Sequence, residues 1–97
     1  MGIDLGTGGA RVVVCDQKGK VQALSDHPLI NGTVMNLPLS YHEQHVDSWW
    51  EAVVMVIRHA LEELGRKSIH PKSIMAISVT STSGTILPID KDNIPLY

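Results

Sequence analysis

The chain has 97 residues, with 8 Lys and Arg against 10 Asp and Glu, and a formal net charge of −2 at pH 7. That length allows one small domain, and the slightly acidic balance with no basic stripe argues against nucleic acid as a partner. The apolar runs are too short to span a bilayer, so we expect a cytoplasmic protein with no signal peptide and no membrane contact. Cys15 is the only cysteine, which excludes an internal disulfide and predicts a small buried hydrophobe.

The first stretch of the chain, residues 2–11, reads Gly-Ile-Asp-Leu-Gly-Thr-Gly-Gly-Ala-Arg and runs into the β-branched segment 12–16. It predicts a short strand, a glycine-rich turn and a second strand. Glycines let the backbone approach a ligand closely, and successive N–H groups in such a turn suit phosphate oxygens. Thr7 adds a hydroxyl, and Asp4 is suited to hold a hydrated Mg²⁺. The glycines are Gly6, Gly8 and Gly9.

Two better-known phosphate loops do not fit this turn. A dinucleotide-binding fingerprint needs a third glycine and a following helix, whereas Arg11 and three valines follow here. A P-loop needs a terminal Gly-Lys-Ser/Thr, which is absent. The turn therefore predicts a hairpin, and a plain flexible hairpin turn remains the alternative to a phosphate site.

Further along, residues 10–16 and 21–25 predict two strands joined by the polar turn 17–20, which completes a three-stranded antiparallel meander. Residues 26–44 contain Pro28, Asn31-Gly32 and Pro38, which predict an extended loop laid on the domain or facing a cleft.

Apolar residues at helical spacing then predict an amphipathic helix whose start is marked by Asp47, or by Ser48 with Glu51, and whose stop is Gly65. We expect Trp50 to pack against the sheet and Trp49 against the loop. A ligand-stacking role for the two tryptophans is the alternative. The apolar face comprises Trp50, Val53, Val54, Ile57, Leu61 and Leu64.

The run 74–79 is almost continuously apolar and predicts a strand buried on both faces. A right-handed crossover would place it beside the first strand. Residues 80–85 follow at its carboxyl end, where open α/β sheets bind ligands. Residues 86–97 predict an edge hairpin, because Pro88 cannot donate to a central ladder.

The opening residues 2–7, followed by Ala10-Arg11 and an apolar strand, resemble the phosphate-binding motif of the FGGY carbohydrate kinases. Glu43-Gln44 and residues 49–52, Trp-Trp-Glu-Ala, also match that family, although His45 and Val46 replace its usual Asp and Pro. The family pattern would place the helix cap at His45. The resemblance implies an α/β, ribonuclease H-like fold of the actin, hexokinase and heat-shock 70 superfamily.

The resemblance also implies ATP-dependent transfer of the γ-phosphoryl group to a sugar hydroxyl. Asp4 would orient Mg²⁺ through water, and Arg11 would either contact phosphate or form an ion pair within the hairpin. The terminal phosphates would be bound by Gly6, Thr7, Gly8 and Gly9.

The loop formed by Thr82, Ser83, Gly84 and Thr85 aligns with the sugar-contacting residues of the family. It lacks both the Asn-Gln-Arg-Glu-Thr of glycerol kinases and the Gly-Gln-Met-His-Gly of many xylulokinases. It resembles the Thr-Ser-Gly-Thr of a xylulokinase-like branch associated with D-ribulose phosphorylation. A ketopentose such as D-ribulose or D-xylulose is therefore the expected small-molecule substrate, and a plain Ser/Thr turn is the alternative.

Members of that family are several times longer, so residues 1–97 are expected to be a partial N-terminal domain that is inactive alone. The family's proton-accepting aspartate and its adenosine-binding domain come from later parts of the chain. Two alternatives remain: a non-catalytic nucleotide switch or scaffold, and a degenerate interaction module. Uncovered sheet edges would favour a homodimer in the last case.

Overall fold

The computed structural model describes residues 1–96, which form a mixed sheet with one long helix on one face. The strands run in the spatial order β3-β2-β1-β4. The elements are β1 (Gly2–Leu5), β2 (Gly9–Cys15), β3 (Val21–Pro28), α1 (Val46–Arg66), a 3₁₀ turn (Pro71–Ser73) and β4 (Ser78–Ser81). Antiparallel pairing joins β1 to β2 and β2 to β3, whereas β4 runs parallel to β1. The predicted meander and the predicted position of the last strand beside β1 are therefore confirmed.

The third strand is longer than the sequence predicted. Asp26 to Pro28 continue β3 beyond Ser25 and pair with residues 9–11 of β2. Pairing satisfies backbone groups that a loop would have to expose to water. Pro28 can end the strand because β3 is at the edge of the sheet and a terminal position needs no donor.

The buried face of α1 is offset from the predicted one. Trp50 is 71% exposed, so its predicted packing against the sheet is wrong. Ala52 and Ala60 are both buried and small, and they let the helix lie close to the sheet along a different line of residues. That line comprises Ser48, Ala52, Val56, Ala60 and Leu64.

Both ends of α1 also differ from the capping prediction. The N-cap is His45, as the family pattern indicated, and the predicted capping box at Ser48 is wrong. The Ser48 side chain lies inside the first turn and its hydroxyl donates to the His45 carbonyl. Gly65 is within the helix, and the chain turns instead at Ser68, which has a φ of 58°.

The predicted burial of residues 74–79 and of Cys15 is wrong. A strand residue is buried only where another element packs against the face of the sheet that carries its side chain. The predicted strand 74–79 appears as β4 over Ser78–Ser81 and is exposed throughout. Among residues 1–96, β1 is the one element that packs against it. Cys15 is exposed, because alternation along β2 turns Val12 and Val14 toward the helix and Cys15 away from it.

The predicted hairpin at the end of the chain is a turn closed by a single bridge between Ile89 and Pro95. The Asp90 carboxylate accepts hydrogen bonds from the backbone N–H groups of Asp92 and Ile94. The last predicted residue of this hairpin, Tyr97, lies outside the described residues. Within residues 1–96, no helix is long and apolar enough to cross a membrane.

Candidate functional site

The glycine-rich turn between β1 and β2 is held by hydrogen bonds to three successive backbone carbonyl groups. The Gly9 carbonyl accepts from the Gly6 N–H at 2.9 Å, and the Gly8 carbonyl accepts from the Leu29 N–H at 3.1 Å. The Thr7 carbonyl accepts from the side-chain amide of Gln44 at 2.8 Å. The turn is thus held by its own backbone and by two segments distant in sequence.

Two glycines of this turn lie in different surroundings. A Cβ at Gly9 would lie 2.5 Å from the His27 carbonyl oxygen of β3, so close strand packing needs glycine there. A Cβ at Gly8 would meet nothing within 4 Å. Gly8 therefore lies beside open space in the direction that a side chain would take.

A groove of about 710 Å³ runs beside the turn. It brings Thr7 together with the predicted sugar-loop residues Ser83, Gly84 and Thr85. A smaller cavity of about 140 Å³ joins Gly6 to Thr82. The two sets meet because β1 and β4 are parallel neighbours whose carboxyl ends share one edge of the sheet, and the Thr82 N–H donates to the Leu5 carbonyl there.

The other wall of the groove comes from the start of α1 and from the loop that was expected to lie on the domain or face a cleft. Residues 41–44, Val46 and Trp49 line it. The Trp49 indole N–H donates to the Gln44 side-chain oxygen at 2.9 Å. The Trp49 contact with the loop is thus confirmed, and its ring forms part of the groove wall. Glu43-Gln44 matched the family pattern, which was the available signal, but no role was attached to it.

Asp4 and Arg11 lie on the face of the sheet opposite α1, because their neighbours Ile3 and Val12 point into the core. The Arg11 guanidinium donates to Asp4 Oδ2 at 3.0 Å, with the side chains 62% and 44% exposed. The ion pair that was one of the two expected contacts of Arg11 is therefore formed. Both residues line a depression of about 350 Å³ that also includes Thr80.

The chemistry of Asp4 fits a hydrated Mg²⁺. Arg11 engages Oδ2, which leaves Oδ1 for a water molecule of the cation, and Mg²⁺ usually keeps several waters when it travels with phosphates. Within residues 1–96, no group of three or more His, Cys, Asp or Glu side chains is arranged to hold a metal directly.

The sequence matches the FGGY family of carbohydrate kinases, N-terminal domain, over residues 1–97, and the chain belongs to that family. A solved structure, a xyloylose kinase from Brucella ovis, superposes with a TM-score of 0.75 over 99% of this chain and 19% of that one, at 24% identity. The ribonuclease H-like fold expected from the resemblance is thereby confirmed.

Three curated relatives are sugar kinases by name. The chain is 28% identical to L-fuculokinase of Haemophilus influenzae over 97% of the chain's own length. It is 26% identical to a D-ribulokinase of Saccharomyces cerevisiae over 90% of the chain's own length. It is 30% identical to Ribulokinase 1 of Staphylococcus saprophyticus over its full length. The aligned regions cover 20%, 11% and 19% of these proteins, so the chain spans a fifth of their length or less.

Proposed function

We propose that the protein to which this chain belongs transfers the γ-phosphoryl group of ATP to a hydroxyl group of a sugar. The proposal rests on one observation. A single groove contains Thr7 of the glycine-rich turn together with Ser83 and Thr85 of residues 82–85, called the hydroxyl-rich loop below. Phosphoryl transfer depends chiefly on placing the phosphate donor and the acceptor hydroxyl together, and this groove contains residues suited to each.

The phosphate side consists of Gly6, Thr7, Gly8 and Gly9. The open approach to Gly8 leaves room for a phosphate against the backbone, and the exposed Thr7 contributes a hydroxyl donor. Asp4 would hold Mg²⁺ through water, and the cation would neutralise charge on the phosphates. Arg11 would keep the Asp4 carboxylate in place through their ion pair.

The acceptor side consists of Thr82, Ser83, Gly84 and Thr85. Their hydroxyl groups can both donate to and accept from the hydroxyls of a polyol chain. Gly84 has a φ of 79°, a conformation that glycine adopts without strain, and its missing side chain leaves space in the groove. We assign a ketopentose such as D-ribulose or D-xylulose, which the names of two relatives, D-ribulokinase and Ribulokinase 1, support.

Residues 1–97 alone are proposed to be inactive. Phosphoryl transfer to a sugar needs a carboxylate that accepts the hydroxyl proton. Asp16 and Asp90 are each engaged by backbone N–H groups of their own turns, and neither lines the groove. Among residues 1–96, the acidic side chain that does line it is Glu43, which the family resemblance does not match to the proton acceptor. In the family this carboxylate and the adenosine site come from later parts of the chain. Sugar phosphorylation by residues 1–97 alone would overturn this part of the proposal.

The test uses the longest natural product of this reading frame, called the whole protein below. ADP release is measured with Mg²⁺ and ATP and a panel of D-ribulose, D-xylulose, L-ribulose, ribitol and glycerol. Release stimulated by one ketopentose and lost in Asp4→Asn is expected. The matched control is Asp92→Asn, which changes an exposed carboxylate outside the groove and should leave release unchanged. Nucleotide binding with no stimulation by any sugar would favour the switch or scaffold alternative.

A further inference from the structure

Gln44 connects the two walls of the groove through both ends of its side-chain amide. Its Nε2 donates to the Thr7 carbonyl and its Oε1 accepts from the Trp49 indole. An indole N–H can only donate and a carbonyl can only accept, so one orientation of the amide satisfies both partners. The network therefore fixes which end of Gln44 faces the glycine-rich turn.

The contact to Thr7 also orients the next amide group. The Thr7 carbonyl and the Gly8 N–H belong to one peptide unit, and residues 1–96 contain no cis peptide bond. In a planar trans peptide the C=O and N–H bonds point in opposite directions. Holding the carbonyl toward Gln44 therefore directs the Gly8 N–H away from Gln44. The Leu29 N–H holds the following carbonyl, that of Gly8.

We propose that Gln44, anchored by Trp49, is a positioning residue that presents the Gly8 N–H to the terminal phosphates of a nucleoside triphosphate. The proposal rests on the proposed function, because it requires a nucleotide on the glycine-rich turn. A turn held in its binding conformation before the ligand arrives loses less conformational freedom on binding. Gln44 is 37 residues from Thr7 in sequence, so the contact depends on the folded segment between β3 and α1.

The test measures binding of a non-hydrolysable ATP analogue with Mg²⁺ to the whole protein by isothermal titration calorimetry. Gln44→Met keeps the length of the side chain and removes both hydrogen bonds. We expect its Kd to rise about threefold to tenfold, the range of one lost hydrogen bond, because of the two bonds removed only the one to the Thr7 carbonyl holds the turn. The matched control is Gln22→Met, which removes another amide hydrogen bond, to Asp16, in the β2–β3 region and should leave the Kd unchanged.

Trp49→Phe tests whether Trp49 acts through Gln44. It keeps an aromatic ring and removes the indole donor, so we expect a smaller rise in Kd than that of Gln44→Met. The double variant should bind no more weakly than Gln44→Met, because the two side chains contribute through one network. In steady-state assays, Gln44→Met should raise the KM for ATP more than the KM for the sugar. If Gln44 only stabilised the fold, Gln44→Met would lower the melting temperature but would not raise the KM for ATP more than the KM for the sugar.

The outcomes separate the two proposals. Equal Kd values for Gln44→Met and Gln22→Met would overturn the inference, and additive losses in the double variant would overturn the part assigned to Trp49. Binding of the analogue with no phosphorylation of any sugar would contradict the proposed function alone, since the Gln44 effect is read from binding. A whole protein that binds no nucleotide would contradict both.

Discussion

The Arg11 guanidinium lies 3.0 Å from the Asp4 carboxylate across the first hairpin, so the acidic group proposed to hold Mg²⁺ has a built-in cationic neighbour. The two residues are directly opposite in the β1–β2 register. Cross-strand pairs of opposite charge orient one another's side chains at little gain in stability when they are exposed. The pair is thus better suited to positioning Asp4 than to stabilising the fold.

Asp4 and Arg11 should therefore differ in their importance for catalysis. Asp4→Asn should lower kcat of the whole protein about 100-fold or more, since a cation-positioning charge acts on the transition state. Arg11→Met should lower it less than about tenfold and change the free energy of unfolding by less than about 1 kcal/mol. Steady-state kinetics and urea denaturation measure both. Equal losses of kcat would contradict the lesser role given to Arg11.

The two glycines of the turn should separate stability from nucleotide affinity. Gly9→Ala places a Cβ 2.5 Å from a backbone carbonyl, and such overpacking should destabilise the fold by about 1–3 kcal/mol. Gly8→Ala meets no atom within 4 Å and should change stability by less than about 0.5 kcal/mol. It should nevertheless raise the KM for ATP, because the methyl group occupies the open approach to the turn. Unchanged ATP kinetics in Gly8→Ala would contradict the proposed phosphate contact.

The elements of the fold follow from local signals in the sequence, whereas their burial does not. Alternating residues and the glycine turn were enough to predict the meander, and an apolar run after a helix was enough to place β4 beside β1. Burial depends on what lies on each face, so Cys15 and β4 were predicted incorrectly. Trp50 has the hydrophobicity of a core residue, but the small residues Ala52 and Ala60 set the line of closest approach.

Part of the candidate site could also be predicted from the sequence, and part could not. The two motifs that form the groove were visible as glycine-rich and hydroxyl-rich stretches, and the parallel pairing of β1 and β4 brings them together. The Gln44 contacts to Thr7 and Trp49 depend on the path of residues 29–45, which connect β3 to α1. No hydrophobic periodicity or residue spacing encodes that path, so these contacts could not be predicted from the sequence.

The packing of α1 on the sheet should be concentrated at a few fully buried side chains. Leu64 is fully buried, whereas Leu39 is 95% exposed. Leu64→Ala should lower the free energy of unfolding by about 2–5 kcal/mol, because the removed atoms leave a cavity. The matched control Leu39→Ala should change it by less than about 0.5 kcal/mol. Urea denaturation of the whole protein measures both, and similar effects for the two variants would contradict the described core.

Asp16 should contribute to stability in a pH-dependent way. Hydrogen bonds from the backbone N–H groups of Lys20 and Lys18 hold the pKa of Asp16 below its ordinary value of 3.8. Because the folded-state pKa is lowered, the stabilisation is fully present above pH 3.8 and is lost as the pH falls through the folded-state pKa. An NMR titration of the Asp16 carboxyl carbon should give a midpoint below 3.8. A midpoint at or above that value would contradict the hydrogen-bonded turn.

The glycine-rich turn and the hydroxyl-rich loop are proposed to form one site for phosphoryl transfer from ATP to a sugar. Mass spectrometry of the sugar after incubation of the whole protein with Mg²⁺, ATP and D-ribulose or D-xylulose tests it most directly, because ADP release alone also follows from hydrolysis. The expected product is a sugar carrying one added phosphoryl group, formed in equal amount to ADP and absent with Asp4→Asn. ADP formation with no phosphorylated sugar, or an Asp4→Asn variant as active as the wild type, would contradict it.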